Sequence, residues 1–250
     1  MKTQRQTDIR ELTQKMGSVS LDELCRIFNV SKNTIRRDVN ELAKDGLVEK
    51  VYGGIKAVDD QVISYTQRDV TNKNAKNTIA SLAASRIQNG DIIFIDSGTT
   101  TAQMVDFFSE NISCTIITNN FDVIKKCVDF PNIILIVIGS LYKQTTRSFI
   151  SLNNEINVSH YNITKSFMAC TGFSIEAGLT NTDPYEHAIK KIICEKTSEI
   201  HILADSSKYE KPTLLTYCRL ENIDYFITDA TPPTKYVNFF KENDVQVLTD

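Results

Sequence analysis

The sequence has no apolar run of 18 residues, and its first residues, MKTQRQTDIRELTQ, lack the apolar core of a signal peptide. A helix that crosses a membrane needs about 20 mostly apolar residues. A secretory signal needs an apolar segment of roughly 7–15 residues. We therefore expect neither a membrane span nor a signal peptide, and we expect a cytoplasmic protein.

Paired cysteines and histidines are also lacking. The six cysteines form no C-x-x-C motif and only three histidines are present, so the ligand spacing of a zinc site does not occur. We expect buried free thiols in a reducing compartment, without disulfides, a metal site or a cofactor. The residues concerned are Cys25, Cys114, Cys127, Cys170, Cys194, Cys218, His160, His187 and His201.

Charge is distributed unevenly along the 250 residues. Residues 1–58 carry eleven basic and eight acidic side chains, a net charge of +3, whereas the remainder carries 17 basic and 23 acidic ones, a net charge of −6. A basic N-terminal part on an acidic body is expected when one end meets a polyanion such as DNA. With 41% hydrophobic and 24% charged residues the chain is able to bury a core.

Residues 31–42, SKNTIRRDVNEL, have the pattern of a short amphipathic helix. Ser31 is a suitable N-cap, and Ile35, Val39 and Leu42 lie at i, i+4 and i+7, on one face. The other faces suit DNA phosphates and base edges in a major groove, although an ordinary solvated helix has the same composition. The candidate DNA-contacting residues are Ser31, Lys32, Asn33, Thr34, Arg36, Arg37 and Asn40.

The residues before this helix predict a helix-turn-helix. A first helix is predicted from Thr3 to Met16. Ser20 and Glu23 then match a capping box that opens a second helix, and a turn at 29–30 leads to Ser31. Two short amphipathic helices joined in this way place the second of them in the major groove.

After residue 46 the apolar period changes from that of a helix to that of a strand. Residues 47–52 and 55–58 flank Gly53-Gly54, which predicts a hairpin with a two-residue glycine turn. A hairpin that follows a recognition helix is a wing. The wing residues expected to contact the DNA backbone are Lys50, Tyr52 and Lys56.

The stretch 59–72, DDQVISYTQRDVTN, is polar without a sustained period, and we interpret it as a linker. It separates a winged helix-turn-helix domain, 1–58, from a second domain, 73–250, in which helices alternate with short apolar strands. The predicted strands are 92–95, 115–118, 133–138, 167–170, 200–204 and 225–228. This alternation predicts an α/β fold with a mostly parallel sheet covered on both faces.

Ligands of such sheets bind beyond the carboxyl ends of the strands. The segment 96–101, DSGTTT, follows the strand at 92–95 and precedes a helix. A glycine, several hydroxyls and a helix N-terminus suit a phosphate monoester, or the segment is a helix cap with additional hydroxyls. It is not a Walker A loop, because it lacks G-K-[ST], nor a nucleophile elbow, because it lacks G-x-S-x-G.

Residues 5–58, above all SLDELCRIFNVSKNTIRRDVNELAKDGLVEKVYGG, resemble the winged helix-turn-helix of the DeoR family of bacterial sugar-metabolism regulators. Within that family, SLDELCRIFNVSKNT is similar to the repressors of inositol catabolism. From about Lys73 onwards, DSGTTT, TNN, GLTNT and LADSSK resemble the family's effector-binding domain. That domain is similar in fold to ribose-5-phosphate isomerase and glucosamine-phosphate isomerase.

The resemblance implies an effector site. The residues that it implies for the phosphate are Ser97, Gly98, Thr99, Thr100 and Thr101, and those for the rest of the pocket are Asp96, Asn119, Gly139, Gly172 and Lys208, with Asp96 on a sugar hydroxyl and Lys208 as the counter-charge. Glu186 and Lys190 match the family's E-x-x-x-K, but at i, i+4 they equally suit a structural ion pair.

Three segments depart from the family's usual pattern. Thr118-Asn119-Asn120 stands for T-N-S, Gly139-Ser140 stands for G-G, and the loop 171–173 lacks the usual acid. These changes put the identity of the ligand in doubt. Lys143 and Arg147 either contact a second anionic group of the effector, such as a sugar carboxylate, or lie on a solvated strand edge.

The expected function is that of a DNA-binding repressor of a sugar or polyol operon, with myo-inositol among the candidates. A phosphorylated sugar would release it from its operator, and reading paired half-sites would require a homodimer or homotetramer. The alternative is an isomerase-like enzyme, since proton transfer needs a carboxylate and Asp96 and Glu186 are available. Because the loop 171–173 lacks the isomerases' acid, we expect no catalysis.

Overall fold

The computed structural model describes residues 2–16, 18–44, 47–51, 53–57, 65–151, 158 and 160–250. The chain forms two compact units, residues 1–64 and 65–250. Within the described ranges no helix has both the length and the apolar character that crossing a membrane requires.

The first unit packs three helices on a small antiparallel sheet. Its elements are α1 (Lys2–Met16), β1 (Ser18–Ser20), α2 (Leu21–Phe28), α3 (Lys32–Lys44), β2 (Val48–Val51) and β3 (Gly54–Ala57), with strand order β1-β3-β2. Ile9, Leu24, Ile35 and Ile55 are fully buried at its centre. The predicted winged helix-turn-helix, including the apolar stripe of α3, is confirmed.

The two helix starts follow the predicted caps. The Ser20 hydroxyl accepts a hydrogen bond from the Glu23 backbone N–H at 3.1 Å, and the Ser31 hydroxyl accepts one from that of Thr34 at 3.3 Å. Asn29 ends α2 in the left-handed conformation with φ of 49°, which asparagine adopts more readily than most residues. These caps define the turn between α2 and α3.

The predicted Gly53-Gly54 turn is wrong by one residue. Val51 pairs with Gly54, so Gly54 belongs to β3, and Gly53 lies in the turn with φ of +80°. A Cβ on Gly54 would lie 2.5 Å from the carbonyl oxygen of Val19, because β1 pairs with this part of β3. The second glycine therefore permits the close approach of β1, a strand too short to be predicted from a period of two.

The second unit contains a large sheet, two smaller ones and helices on both sides. Its elements are α4 (Tyr65–Val70), α5 (Lys73–Ala84), β4 (Ile92–Ile95), α6 (Thr99–Gln103), β5 (Cys114–Thr118), α7 (Phe121–Cys127), β6 (Ile133–Val137), β7 (Leu141–Lys143), β8 (Ser148–Ile150), β9 (Lys165–Ala169), β10 (Gly172–Ser174), β11 (Gly178–Asn181), α8 (Pro184–Lys196), β12 (Glu199–Leu203), β13 (Leu215–Cys218), β14 (Tyr225–Ile227), α9 (Thr234–Glu242) and β15 (Gln246–Leu248). Short 3₁₀ turns occupy Met104–Phe107, Ser206–Lys208 and Leu220–Asn222.

The large sheet has the order β15-β14-β12-β9-β4-β5-β6, and all its strand pairings are parallel. Alternate residues of each strand enter opposite cores. Phe94 and Met168 pack with residues of α8 and α9, whereas Ile95 and Phe167 pack with residues of α5, α6 and α7. The predicted parallel sheet, covered on both faces, is confirmed.

The small antiparallel sheets, β10-β11-β13 and β7-β8, were not among the predicted strands. The predicted linker, 59–72, also differs from the structure at its C-terminal end. Residues 65–70 form α4, and Tyr65 is buried in the second unit. Residues 58–64 lie outside the described residues, and the boundaries at 58 and 73 remain predictions.

The six cysteines are all within the described residues and are free thiols. Three of them, Cys114, Cys127 and Cys218, are buried, and the others are half-buried. The expectation of buried free thiols therefore holds for half of them.

Candidate functional site

The recognition helix α3 is fixed through an unexpected charged residue. Asp38 is only 1% exposed, and its carboxylate accepts a hydrogen bond from the Arg5 Nε on α1 at 2.7 Å. Asp38 lies three residues after Ile35 and four before Leu42, on the apolar side of the helix. An acid within an apolar stripe is the sequence signal that could have identified this anchor.

The opposite side of α3 faces solvent. The predicted DNA-contacting residues Ser31, Lys32, Asn33, Arg36, Arg37 and Asn40 are exposed, and Thr34 is half-buried. Lys32 pairs with Asp22 at 2.6 Å, but both side chains are largely exposed. A surface ion pair of this kind is screened by solvent and constrains Lys32 only weakly.

Two of the three wing residues predicted to contact DNA are exposed to solvent. Lys50 of β2 and Lys56 of β3 are exposed. Lys56 pairs with Glu49, its cross-strand partner, at 3.0 Å. The third, Tyr52, lies outside the described residues.

In the second unit, the predicted effector residues follow the carboxyl ends of neighbouring strands. Asp96 follows β4, Asn119 follows β5, Gly139 follows β6 and Gly172 follows β9. The parallel sheet thus brings these separate segments to one edge, as its topology requires.

A buried ion pair lies at the centre of this edge. Asp96 is 1% exposed and pairs with Lys190 of α8, which is 4% exposed. The Asp96 carboxylate also accepts from the Ala169 N–H at 3.0 Å, and Lys190 donates to the Ala169 carbonyl at 2.8 Å. Asp96 therefore ties β4 to β9 and α8, and the sugar hydroxyl predicted for it would compete with these bonds.

Glu186, one turn before Lys190 on α8, binds the loop instead. Its Oε1 accepts from the Ser97 hydroxyl at 2.7 Å and from the Ser148 hydroxyl at 3.3 Å. Burial raises the pKa of the Glu186 carboxyl, Asp96 acts in the same direction, and Lys190 opposes both. A carboxyl that keeps its proton more readily repels an incoming anion less. We name this arrangement of Asp96, Ser97, Glu186 and Lys190 the sheet-edge cluster.

The remaining residues of the DSGTTT segment differ in the hydrogen bonds that their side chains form. The Thr101 hydroxyl donates to the backbone carbonyls of Asp96 and Gly98, at 2.7 and 2.9 Å. A Cβ on Gly98 would lie 2.5 Å from that of Ala169. By contrast, the hydroxyls of Thr99 and Thr100 form no hydrogen bond with any described residue. They lie in the first turn of α6, where Thr99 is 5% and Thr100 6% exposed.

Asn119 and Asn120 form hydrogen bonds with different parts of the sheet edge. The Asn120 amide donates to the carbonyls of Asp96 and Gly98, at 3.0 and 3.1 Å, and its Oδ1 caps α7. Asn120 holds the loop in place, a role that the sequence reasoning missed. Asn119 donates to the Phe149 carbonyl at 3.2 Å, while its buried Oδ1 has no partner among the described residues.

The two predicted pocket glycines lie where backbones approach closely. Gly139 has φ of +94°, and a Cβ on it would lie 2.7 Å from the carbonyl carbon of Phe149. A Cβ on Gly172 would lie 1.9 Å from the Lys211 carbonyl oxygen. Both glycines are therefore needed by the chain's own packing.

Lys143 and Arg147 are committed to half-buried ion pairs. Lys143 pairs with Asp183, the N-cap of α8. Arg147 binds both carboxylate oxygens of Asp122 and lies 5.2 Å from the Phe121 ring centroid. Each cation therefore has an acid partner within the protein. Both side chains are half-buried, which differs from the alternative prediction of a solvated strand edge.

Two cations near the sheet edge were not predicted. Lys76 of α5 is 4% exposed and donates to the carbonyl of Arg68 in α4. Burial lowers the pKa of Lys76 to about 8, Asp205 opposes this shift and Lys208 adds to it. Arg68 in turn lowers the pKa of Glu186. Lys76 precedes Ile79 and Ala80 by three and four residues, so a lysine within an apolar stripe was the available signal.

Comparison with known proteins identifies the class. A model of the DeoR-like helix-turn-helix domain matches residues 5–61, and one of the DeoR C terminal sensor domain matches residues 71–230. The chain belongs to the DeoR family and is a DNA-binding transcriptional regulator. The family predicted from the sequence motifs is thereby confirmed.

Two named proteins show which regulators the chain resembles. The chain is 40% identical to the HTH-type transcriptional regulator IolR of Bacillus subtilis over 99% of each chain. It is 28% identical to the glycerol-3-phosphate regulon repressor of Escherichia coli over 98% of each. These relatives agree with a regulator and not an enzyme. Among solved structures, ribose 5-phosphate isomerase A of Methanocaldococcus jannaschii aligns with 56% of this chain and 55% of its own, with 18% identity and a TM-score of 0.40.

Proposed function

We propose that this regulator represses an operon for the breakdown of a sugar or polyol, with inositol as the first candidate, and that a phosphorylated sugar releases it from its operator. The observation that carries the proposal is the start of α6, where the hydroxyls of Thr99 and Thr100 have no protein partner among the described residues. The names of the relatives, a glycerol-3-phosphate regulon repressor among them, support the same reading.

Phosphate chemistry suits this position. The first turn of a helix presents unpaired backbone N–H groups that favour an anion, and two free hydroxyls add donors. Burial lowers the pKa of Lys76 and nearby Lys208 adds to this shift, so two cationic side chains stand near the same edge. In this proposal Ser97, Asn119 and Glu186 shape the pocket, while Asp96 and Lys190 hold its framework.

The DNA-binding half of the proposal assigns α3 to the major groove. Arg36, Arg37 and Asn40 read base edges, and Lys32, Lys50 and Lys56 bind the backbone, a division typical of such helices. A two-fold operator calls for a homodimer or a tetramer built from dimers. Because the operator lies on the chromosome, we place the protein in the cytoplasm.

The effector assignment is tested by operator release. Fluorescence anisotropy of a labelled operator is followed while sugar phosphates and their unphosphorylated parents are titrated. We expect release by a phosphorylated sugar only, and a potency about tenfold lower in Thr100→Val, which removes one hydroxyl bond to a charged group. Thr234→Val, on the exposed start of α9, is the matched control. Release by unphosphorylated sugars alone would overturn the assignment.

The DNA assignment is tested separately with Arg37→Ala. Loss of a base contact should weaken operator binding by about 1–3 kcal/mol, roughly 5- to 150-fold. Lys44→Ala, at the C-terminal end of the same helix, should change affinity less. Full operator affinity in Arg37→Ala would remove α3 from the groove.

A further inference from the structure

One cavity of the sensor unit is lined by residues outside the sheet-edge cluster. It has a volume of about 220 Å³ and is lined by Tyr65, Asp69, Gln103, Asp122, Lys126 and Arg147. Neither Thr99 nor Thr100, nor any residue of the sheet-edge cluster, is among the residues that line it. Its volume equals the liquid volume of about seven water molecules, which is room for one molecule of monosaccharide size.

One wall of the cavity carries an unsatisfied acceptor. The Gln103 side chain is 7% exposed, and its Oε1 is buried with no hydrogen-bond partner among the described residues. A buried acceptor without a donor costs about 1–3 kcal/mol, so native proteins leave few of them. A ligand hydroxyl in the cavity is a donor that would satisfy it.

Both cations of the cavity are paired with carboxylates, and one carboxylate is left over. Arg147 binds Asp122 through two nitrogens, and Lys126 binds Asp106 at 2.6 Å. Asp69 adds a further carboxylate at the wall. The cations are thus already neutralised, and an anion placed here would face carboxylates that are not offset by a free cation among the lining residues. This distinguishes the cavity from the start of α6.

The remaining lining suits a molecule with many hydroxyls. A hydroxyl both donates and accepts, so it can bind a carboxylate, an ammonium group or an amide. The Arg147 guanidinium lies 5.7 Å from the Tyr65 ring centroid, so an aromatic ring also forms part of the wall.

We propose that this cavity binds an uncharged polyol, at a site separate from the one proposed for phosphate. The site contains Tyr65, the first residue of α4, which follows residues 58–64 directly in sequence. A polyol here would contact the element nearest in the chain to the DNA-binding unit. The regulator would then sense an unphosphorylated polyol as well as a phosphorylated sugar.

The test is isothermal titration of the full chain with three uncharged probes, myo-inositol, D-glucitol and glycerol, and with inorganic phosphate. We expect at least one polyol to bind the wild-type protein. Gln103→Leu should weaken that binding at least tenfold, because it removes the acceptor while retaining the approximate volume. Thr234→Val, exposed at the start of α9 and outside the cavity, should leave polyol binding unchanged.

A second variant guards against misfolding of the buried Gln103→Leu. Asp69→Ala alters an exposed wall residue and should weaken polyol binding about threefold, with an unchanged circular dichroism spectrum. Failure of all three polyols to bind would overturn the proposal. So would equal polyol affinity in the wild type and both cavity variants, or binding of phosphate that Gln103→Leu abolishes. None of these results bears on release by a sugar phosphate.

Discussion

The polar side of α3 is exposed, whereas the sheet-edge cluster of the second unit is buried and tied by hydrogen bonds. Arg36 and Arg37 face solvent on α3, and Asp96 and Lys190 are at most 4% exposed. Exposed charges stay hydrated and contribute little to stability, so they are free to bind a partner. Buried charges must satisfy each other, so most of the cluster is occupied in holding the fold. The proposed function therefore assigns the phosphate to Thr99 and Thr100, whose hydroxyls have no partner among the described residues.

The largest effect should follow from breaking the buried pair. Asp96→Ala leaves Lys190 charged, buried and without its carboxylate, and such a loss costs about 3–5 kcal/mol. Denaturant unfolding of the second unit should detect it. Arg36→Ala is the exposed counterpart and should change stability by less than about 0.5 kcal/mol.

The double variant Asp96→Asn with Lys190→Met sharpens this test. It leaves no unpaired charge, so part of the lost stability should return. If Asp96→Ala were as stable as the wild type, the pair would not hold β4 to α8, and the contrast with α3 would fail.

The next effect concerns the one buried charge described on α3. Arg5→Ala leaves Asp38 buried without its partner, and we expect the first unit to lose less stability than the second loses in Asp96→Ala, because Arg5 itself is partly exposed. Hydrogen exchange of the α3 amides measures it, because exchange reports the opening of local structure. Arg5→Lys should retain much of the stability. Unchanged protection in Arg5→Ala would mean that α3 is held by its apolar stripe alone.

The contrast between the two units also explains which features can be predicted from the sequence. The helices of the first unit depend on local patterns, caps and apolar periods, and these were read correctly. The Asp96–Lys190 pair joins residues 94 positions apart, and no local pattern specifies which lysine meets which acid. The i, i+4 spacing of Glu186 and Lys190 suggested a pair with each other, but in the fold each binds residues from other strands and loops.

Other errors have equally physical origins. Residues 65–70 form one short helix of polar and apolar residues, too brief for a period to appear, so the sequence does not predict α4 within 59–72. The turn prediction is wrong by one residue because Gly53 and Gly54 have different structural roles. Gly53 supplies the positive φ and Gly54 the space for β1. The buried cation Lys76 was missed because a lysine in a helix is usually solvated.

The third prediction concerns the pH dependence of stability, which should differ between the two units. The three histidines all lie after residue 64, and His201 is fully buried between the rings of Phe167 and Tyr225. Burial, aided by Arg86 and Lys165, lowers the pKa of His201 from 6.5 to about 3. Between these values the unfolded chain binds a proton that the folded one refuses, so stability falls as pH falls.

The expected slope is about 1.4 kcal/mol per pH unit below pH 6.5, or roughly 2 kcal/mol lost by pH 5. Unfolding of the second unit at pH 7 and pH 5 measures it. His201→Phe keeps an aromatic ring in the stack and should remove this contribution, while the exposed His160→Gln should not. An identical loss in His201→Phe would assign the acid sensitivity to other groups.

The smallest effect tests whether the sheet-edge cluster adjusts its charge to an anion. Burial raises the pKa of Glu186, and a nearby anion favours its protonated form. Anion binding should therefore take up a proton and weaken as rising pH ionises Glu186. Sulfate is a suitable probe because its charge is constant above pH 5. We expect a loss of less than about tenfold across the titration, since one pKa unit corresponds to about 1.4 kcal/mol.

Glu186→Gln should bind sulfate with little pH dependence, because the amide retains a bond to Ser97 but does not ionise. Glu195→Gln, exposed on the same helix, should behave as the wild type. Because the two variants differ by the same atoms, a difference between them reports the position of the carboxyl and not the helix's net charge. A flat wild-type profile would mean that the bound anion does not feel Glu186, and that the ligand lies farther along α6 than Thr99 and Thr100.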